Sequence, residues 1–448
     1  MIPRFSPDYD WGDLAACGRP APVNTVTQLE NAFAERTGHA HGVAFRYGRS
    51  GLYFLLCALA ERYPNPEQRR VMMPSYTCVV VAHAVVLAGF EPVFLDNAPG
   101  RFQPLPQAYL AAIEESPEKT AMILPTHLFG MTEETAALCE AIRNRYPHVF
   151  ILQDCAHGYF CEDAEGNVAA GAGDGALFGM NISKLVNSVK GGMLTLRDRA
   201  LADRIRELRD ASPVRRSSWI SRAYVLAATV AFTPWGFEIV HWLKQHTRLL
   251  AGETDYFRPD VVDLPVDYRQ PMTAFEAAIG LSSLRRYDQR VKGRRTLAGG
   301  YAEALRPLRN AGLLDFPEPQ SGFTWSHFPV RVASVYRDKA QRTLENVLGM
   351  EIGIIVDYSV ADLPAYQALG VAGTPVALAT SREVINLPLC LHEGRLGLPV
   401  DSGAKTSRMI QRMVQILSAE LLTPLPARVS GAGNGLLPAG LHEEVAAR

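Results

Sequence analysis

Between Arg70 and Leu196 the chain alternates short apolar runs with longer helical patterns, and this alternation limits the possible folds more than any other feature. "RRVMMP", "EPVFLD", "AMILP", "HVFILQD", "GALFGM" and "GGMLTL" read as strands. "TCVVVAHAVVLAG" reads as an apolar helix stopping at Gly89, and "EETAALCEAIRNRY" as a second helix. Another helix is expected from Arg49 to Tyr63. Strands separated by helices pair through crossovers, which predicts a mostly parallel sheet covered on both faces. Sheets of that kind bind ligands at the carboxyl ends of their strands.

After about Asp260 the texture changes. "TAFEAAIGLSSLRRYDQRVKGRRTLAGGYAEALRPL" predicts a long helix, and "FTWSHFPVRV", "MEIGIIVDY" and "REVINLPLCL" predict strands of a smaller α+β unit. The expected organisation is a large α/β domain over residues 1–260, a long helix with a small C-terminal α+β domain over 261–423, and a loosely ordered Gly-, Pro- and Ala-rich tail over 424–448.

Composition removes several function classes. A formal net charge of −1 gives no basic field for nucleic acid. Seven cysteines without a CxxC pair point to a reducing compartment and no structural zinc. "MIPRFSPDYDWGDL" lacks an export pattern, so a cytoplasmic location is expected. Residues 217–250 form an apolar, Trp-rich insertion whose uncharged core, Ala223 to Phe237, is short for a bilayer and is interrupted by Pro234. A buried helical hairpin or dimer contact is the expectation. The alternative is peripheral membrane contact, with Trp219, Trp235 and Trp242 at headgroup level and Arg215, Arg216, Lys244 and Arg248 as basic flanks.

The chemistry begins at "ILQDCAHGYF", where an apolar strand ends in Asp154. A carboxylate there needs water, nearby backbone N–H groups or a cation. Thirty residues on, Lys184 lies in the loop between two apolar strands, and Gly191 and Gly192 open the second and allow close backbone approach. Upstream, "FRYGRSGLYFLLCAL" places Gly48, Arg49, Ser50 and Gly51 at the start of an apolar helix, where free N–H groups favour an anion. A phosphate cup, an acid at a strand end and a lysine two strands later are what pyridoxal 5′-phosphate requires. Lysine forms a Schiff base with its aldehyde, and the carboxylate keeps its pyridine nitrogen protonated.

The order of these motifs over roughly Phe45 to Leu417 resembles the DegT/DnrJ/EryC1/StrS family of sugar aminotransferases. "MPSYTCVVVAHAVVLAGFEPVFLD", "PTHLFGM", "QDCAHG", "SKLVNSVKGGML", "MTAFEAAIGLSSLRRYDQ" and "REVINLPL" are similar to that family's motifs. The resemblance implies the aspartate-aminotransferase-like fold, pyridoxal phosphate fold type I. It implies Lys184, not Lys190, as the Schiff-base lysine, and Asp154 as the partner of the pyridine nitrogen. It places His157 beside the cofactor's phenolic oxygen and adds Asn181 to the cofactor-binding set. Four positions depart from the family pattern: Gly179 stands for its Ser, Cys78 for its stacking aromatic, Lys190 for its Glu, and its Asn-x-Arg appears as "DYRQPM" with Arg269 near the Asn position. Tyr76 is expected to supply a stacking face, and Arg269 of "DYRQPM" to reach the phosphate in the partner subunit of a homodimer. The implied reaction moves an amino group from a donor such as L-glutamate to a keto-sugar, nucleotide-linked, or to a related keto natural-product intermediate. A sugar dehydratase of the same fold and a non-catalytic binding or regulatory protein are the alternatives. Retention of both Asp154 and Lys184 argues against the last.

Overall fold

In the computed structural model, residues 3–132, 135–211, 217–247, 257–390 and 403–422 are described. The expected tail, the basic flanks Arg215, Arg216 and Arg248, and the end of the insertion lie outside them. Strands β1 (His41–Phe45), β2 (Arg70–Pro74), β3 (Glu91–Leu95), β4 (Thr120–Ile123), β5 (Phe150–Asp154), β6 (Gly175–Asn181) and β7 (Lys190–Leu196) form one sheet in the order β1-β7-β6-β5-β4-β2-β3. Strands β3, β2, β4, β5 and β6 run parallel, as the alternation predicts. β7 returns antiparallel beside β6, and β1 closes that edge antiparallel to β7. β1 carries no expectation from the sequence, because "HGVAF" is too short to stand out.

The strands are apolar on both sides because helices cover both faces. Helix Gly48–Ala60 buries Leu52, Leu55, Leu56 and Leu59 in the main core with Val43, Leu152, Leu177 and Leu194. On the other face, helix Thr25–Thr37 and the helix Ala274–Asn310 bury Leu29, Phe33, Ala277 and Leu284 against Phe178, Met180 and Met193. The long helix starts in a capping box between Thr273 and Glu276.

The helix Val79–Leu87 ends where Gly89, at φ +78°, can take the left-handed conformation. The second sheet is antiparallel, in the order β10-β9-β8, from β8 (Leu314–Asp315), β9 (Phe328–Val332) and β10 (Val384–Leu387).

Two expectations are corrected. "MEIGIIVDY" is not a strand: among the described residues it pairs through an isolated bridge, Gly353 to Asn386. Its apolar residues Met350, Ile352, Val356 and Tyr358 are buried, so the pattern marks a packed loop. The insertion is two helices, Trp219–Ala231 and Pro234–His246, but it is not buried. Among the described residues only Ser221, Val225 and Ala228 on the first helix and Gly236 and Phe237 on the second are inside, while Trp219, Leu226, Val230, Trp235, Ile239 and Trp242 face outward.

Candidate active site

The site forms at the carboxyl edge of β5 and β6. Asp154 ends β5 and is almost wholly buried. Its Oδ1 accepts the Ala156 N–H at 3.0 Å. Burial pushes its pKa up, and the Ala156 N–H and the Lys184 ammonium offset that only in part. The backbone contact anticipated for an acid at a strand end is therefore present, and the carboxylate is still short of positive charge.

Lys184 sits in the turn after β6, its N–H donating to the Asn181 carbonyl at 3.0 Å. Burial lowers its pKa, while Cys78 and Asp154 pull it back up. A lysine held below its ordinary value keeps more neutral amine, the form that attacks carbonyls.

Helix Gly48–Ala60 supplies the anion end. No side chain caps it. The N–H groups of Ser50 and Gly51 turn back to the Tyr47 carbonyl, and the first amides point ahead of the helix. The Ser50 hydroxyl is buried with no hydrogen-bond partner. Arg49 lies with its guanidinium 5.3 Å from the Tyr47 ring centroid, and its charge bears on Cys78.

The cup is held against the sheet by close backbone packing. A Cβ on Gly192 would lie 2.3 Å from the Gly48 nitrogen, and one on Gly48 would lie 3.0 Å from the Gly179 Cα. Gly192 thus presses on the helix start, rather than on a flat ligand, while Gly191 packs against Ser188, Met272 and Met180. Arg46, just before the helix, is fully buried and pairs with Asp267 and Glu276 at 2.8 Å each. Tyr47 donates to Asp267 at 2.8 Å and Ser221 to Glu276 at 2.7 Å, so the cup, the long helix and the insertion share one ionic joint.

The remaining expected residues divide. Cys78 precedes helix Val79–Leu87 beside Lys184, its thiol pushed up by burial. His157 is in the site, its Nδ1 buried without a partner and its ring 6.3 Å from Phe129 and 6.2 Å from His327. Burial and the Lys184 charge hold His157 well below its ordinary pKa.

Tyr76 does not offer a stacking face: it is buried on all sides and donates its hydroxyl to the Val356 carbonyl at 3.1 Å. Asn181 is exposed and builds the lysine turn, its Oδ1 accepting from the Ser183 N–H at 3.0 Å and hydroxyl at 2.7 Å. Arg269 is exposed, donates to the Tyr268 hydroxyl at 2.7 Å and also bears on Tyr53 of the cup helix.

His327 was not anticipated. It precedes β9, and its imidazole lies between His157 and the charges of Arg294 and Arg4; burial first, then those cations and Lys184, hold it well below its ordinary pKa. "FTWSHFPVRV" carries the residue, but nothing in that run marks it as facing Lys184.

An unpartnered Ser50 hydroxyl and His157 nitrogen, an under-compensated Asp154 and a depressed lysine fit pyridoxal phosphate. Gly179 does not exclude a side chain: a Cβ there would meet Lys184 Cε at 3.8 Å and Ala156 Cβ at 3.9 Å, ordinary contacts.

Comparison with known proteins agrees with this geometry. The DegT/DnrJ/EryC1/StrS aminotransferase family matches residues 21–393. GDP-perosamine synthase of Caulobacter vibrioides is 27% identical over 400 residues, covering 88% of this chain and 90% of that protein. The aminotransferase TlmJ of Streptoalloteichus hindustanus superposes with a TM-score of 0.69 at 22% identity, over 94% of this chain and 99% of that one. NtdA of Bacillus subtilis, solved with bound cofactor PMP, superposes with a TM-score of 0.66 at 18% identity, over 93% and 83%.

Proposed function

Because the chain belongs to the DegT/DnrJ/EryC1/StrS aminotransferase family, we infer that it is a pyridoxal-phosphate-dependent transaminase that aminates a nucleotide-linked keto-sugar at the expense of an amino acid such as L-glutamate. The observation that carries this reading is the convergence of Lys184, Asp154 and the Gly48–Gly51 helix start at one sheet edge. The sugar is supported by the likeness to GDP-perosamine synthase along most of both chains.

When bound, the cofactor supplies an electron sink that labilises the donor's α-hydrogen. The helix start and Ser50 would hold its phosphate, with Arg49 adding charge. Asp154 would hold positive charge at the ring nitrogen, a partner that its burial demands. Lys184 would anchor the cofactor and, as a free amine, would move a proton at the donor's α-carbon.

The reading includes a homodimer. Arg269 is exposed in its own subunit and free to meet the partner's phosphate cup, for which a guanidinium is suited. It also includes a cytoplasmic location and the division of the chain near residue 260. Among the described residues no single helix is long and apolar enough to cross a membrane.

The test is direct. Purified protein with pyridoxal phosphate, L-glutamate and nucleotide-linked 4-keto-sugars is followed by mass spectrometry for the amino-sugar and for 2-oxoglutarate. Loss of water from the sugar without 2-oxoglutarate formation would favour a dehydratase instead.

A further inference from the structure

The helix Trp219–Ala231 is apolar on the side that faces away from the protein, and the helix Pro234–His246 exposes Trp235, Ile239 and Trp242 together with Glu238 and His246. Trp219, Trp235 and Trp242 are 64%, 63% and 55% exposed, and Ile220, Leu226, Val230 and Ile239 accompany them. On the first helix the exposed positions 219, 220, 223, 226, 227 and 230 recur at helical spacing, and every one is apolar. The opposite face is fixed: Val225 and Ala228 pack with Tyr9, Val189, Phe275 and Ile279. The helices turn through 106°, and the elbow is filled by Phe232, whose ring lies 5.3 Å from Phe5 and 5.7 Å from Phe237. This apolar face is therefore presented by an anchored element. A contiguous exposed patch of this kind marks a contact surface.

Charge selects the occupant. Arg222 is turned inward, donating to the Ala16, Cys17 and Arg19 carbonyls, but from Ala211 to Gly252 the sequence still carries Arg215, Arg216, Lys244 and Arg248 against one acid, Glu238, in a chain whose formal net charge is −1. A second copy meeting this face across a two-fold axis would set the basic stretch against itself. A surface of negative charge over an apolar interior matches both features, and indole rings settle at such a boundary because one edge is polar. We propose that the helical pair 219–246 docks the enzyme on anionic phospholipid surfaces, with Trp219, Trp235 and Trp242 entering the headgroup layer.

The experiment uses the full-length, cofactor-loaded enzyme and vesicles of phosphatidylcholine with or without phosphatidylglycerol. Co-sedimentation is expected with the mixed vesicles, weakening as salt is raised. The Trp219→Ala, Trp235→Ala, Trp242→Ala variant should lose at least about tenfold in binding, the scale of 1.4 kcal/mol. Its turnover of soluble substrate should be unchanged. Should that variant fold poorly, quenching of the native indoles by brominated phosphatidylglycerol reports insertion without any mutation. Absence of sedimentation and quenching overturns the proposal. So does a tryptophan-dependent change of oligomeric state by light scattering without lipid binding, which assigns the face to a second copy. These readouts need no transamination, so their failure is distinct from failure of the proposed reaction.

Discussion

A glycine series tests how the phosphate cup is held. Gly192→Ala places a methyl 2.3 Å from both the Gly48 nitrogen and the Tyr47 carbonyl carbon, where ordinary contact begins near 3.4 Å. The strand and the helix start must then separate by about 1 Å, and both sides of the contact are backbone. Arg46, bound at 2.8 Å to Asp267 and to Glu276, resists that movement. Overpacking of this kind costs on the order of 3 kcal/mol, the upper end of its usual range.

Gly48→Ala brings its methyl to 3.0 Å from the Gly179 Cα and the Phe178 carbonyl, a milder conflict of roughly 1–2 kcal/mol. Gly179→Ala meets nothing closer than 3.8 Å and, within a strand, should be neutral or stabilising by about 0.5 kcal/mol. Urea unfolding of the cofactor-free proteins, followed by circular dichroism, should rank them Gly179→Ala, Gly48→Ala, Gly192→Ala from most to least stable. Cofactor titration should give the same order of affinity. If Gly192→Ala unfolds with the wild type and binds cofactor normally, the backbone contact does not hold the cup.

Asp154→Asn should keep the cofactor bound and slow turnover by a factor on the order of 10³, measured by single-turnover kinetics with L-glutamate. Near-normal turnover would remove Asp154 from its role. Arg46→Leu leaves Glu276 buried without its cation and should cost roughly 3–5 kcal/mol, read by the same urea assay.

His39 accepts or donates at Thr195 Oγ1 (2.8 Å), and burial above all lowers its pKa from 6.5 to about 4. The unfolded chain takes up that proton first, so stability should fall as pH drops from 6.5 toward 4, by up to roughly 3 kcal/mol from this group. Stability-versus-pH curves of His39→Gln should be flatter across that window. Arg269→Ala should weaken cofactor binding about tenfold to a hundredfold. Mixing it with Lys184→Ala subunits should restore activity; no recovery, with subunit exchange confirmed, places Arg269 outside the partner's site.

What the sequence discloses follows from how local each signal is. The strands β2 to β7 are legible because each is a short, mostly apolar run, and Asp154 because an apolar run ends at it. The glycines were legible as a close approach, but not its object, since Gly192 meets a helix start well over a hundred residues earlier in the chain. Tyr76 and Val356 are likewise far apart in sequence, so nothing local says that the ring turns inward. His327 enters the site only through the placement of β9. Arg46 looks like an ordinary surface arginine until Asp267 and Glu276 fold onto it. Nothing local says that the Asn181 side chain bonds to Ser183 and builds the lysine turn.

Lys184, and not Lys190, is expected to carry the cofactor. Borohydride reduction of the cofactor-loaded enzyme, followed by proteolysis and mass spectrometry, reads this directly. A pyridoxyl group on Lys184, absent from a well-folded Lys184→Ala variant, is the expected result. The label on Lys190, or no labelled lysine in an enzyme that still transaminates, would assign the Schiff base elsewhere.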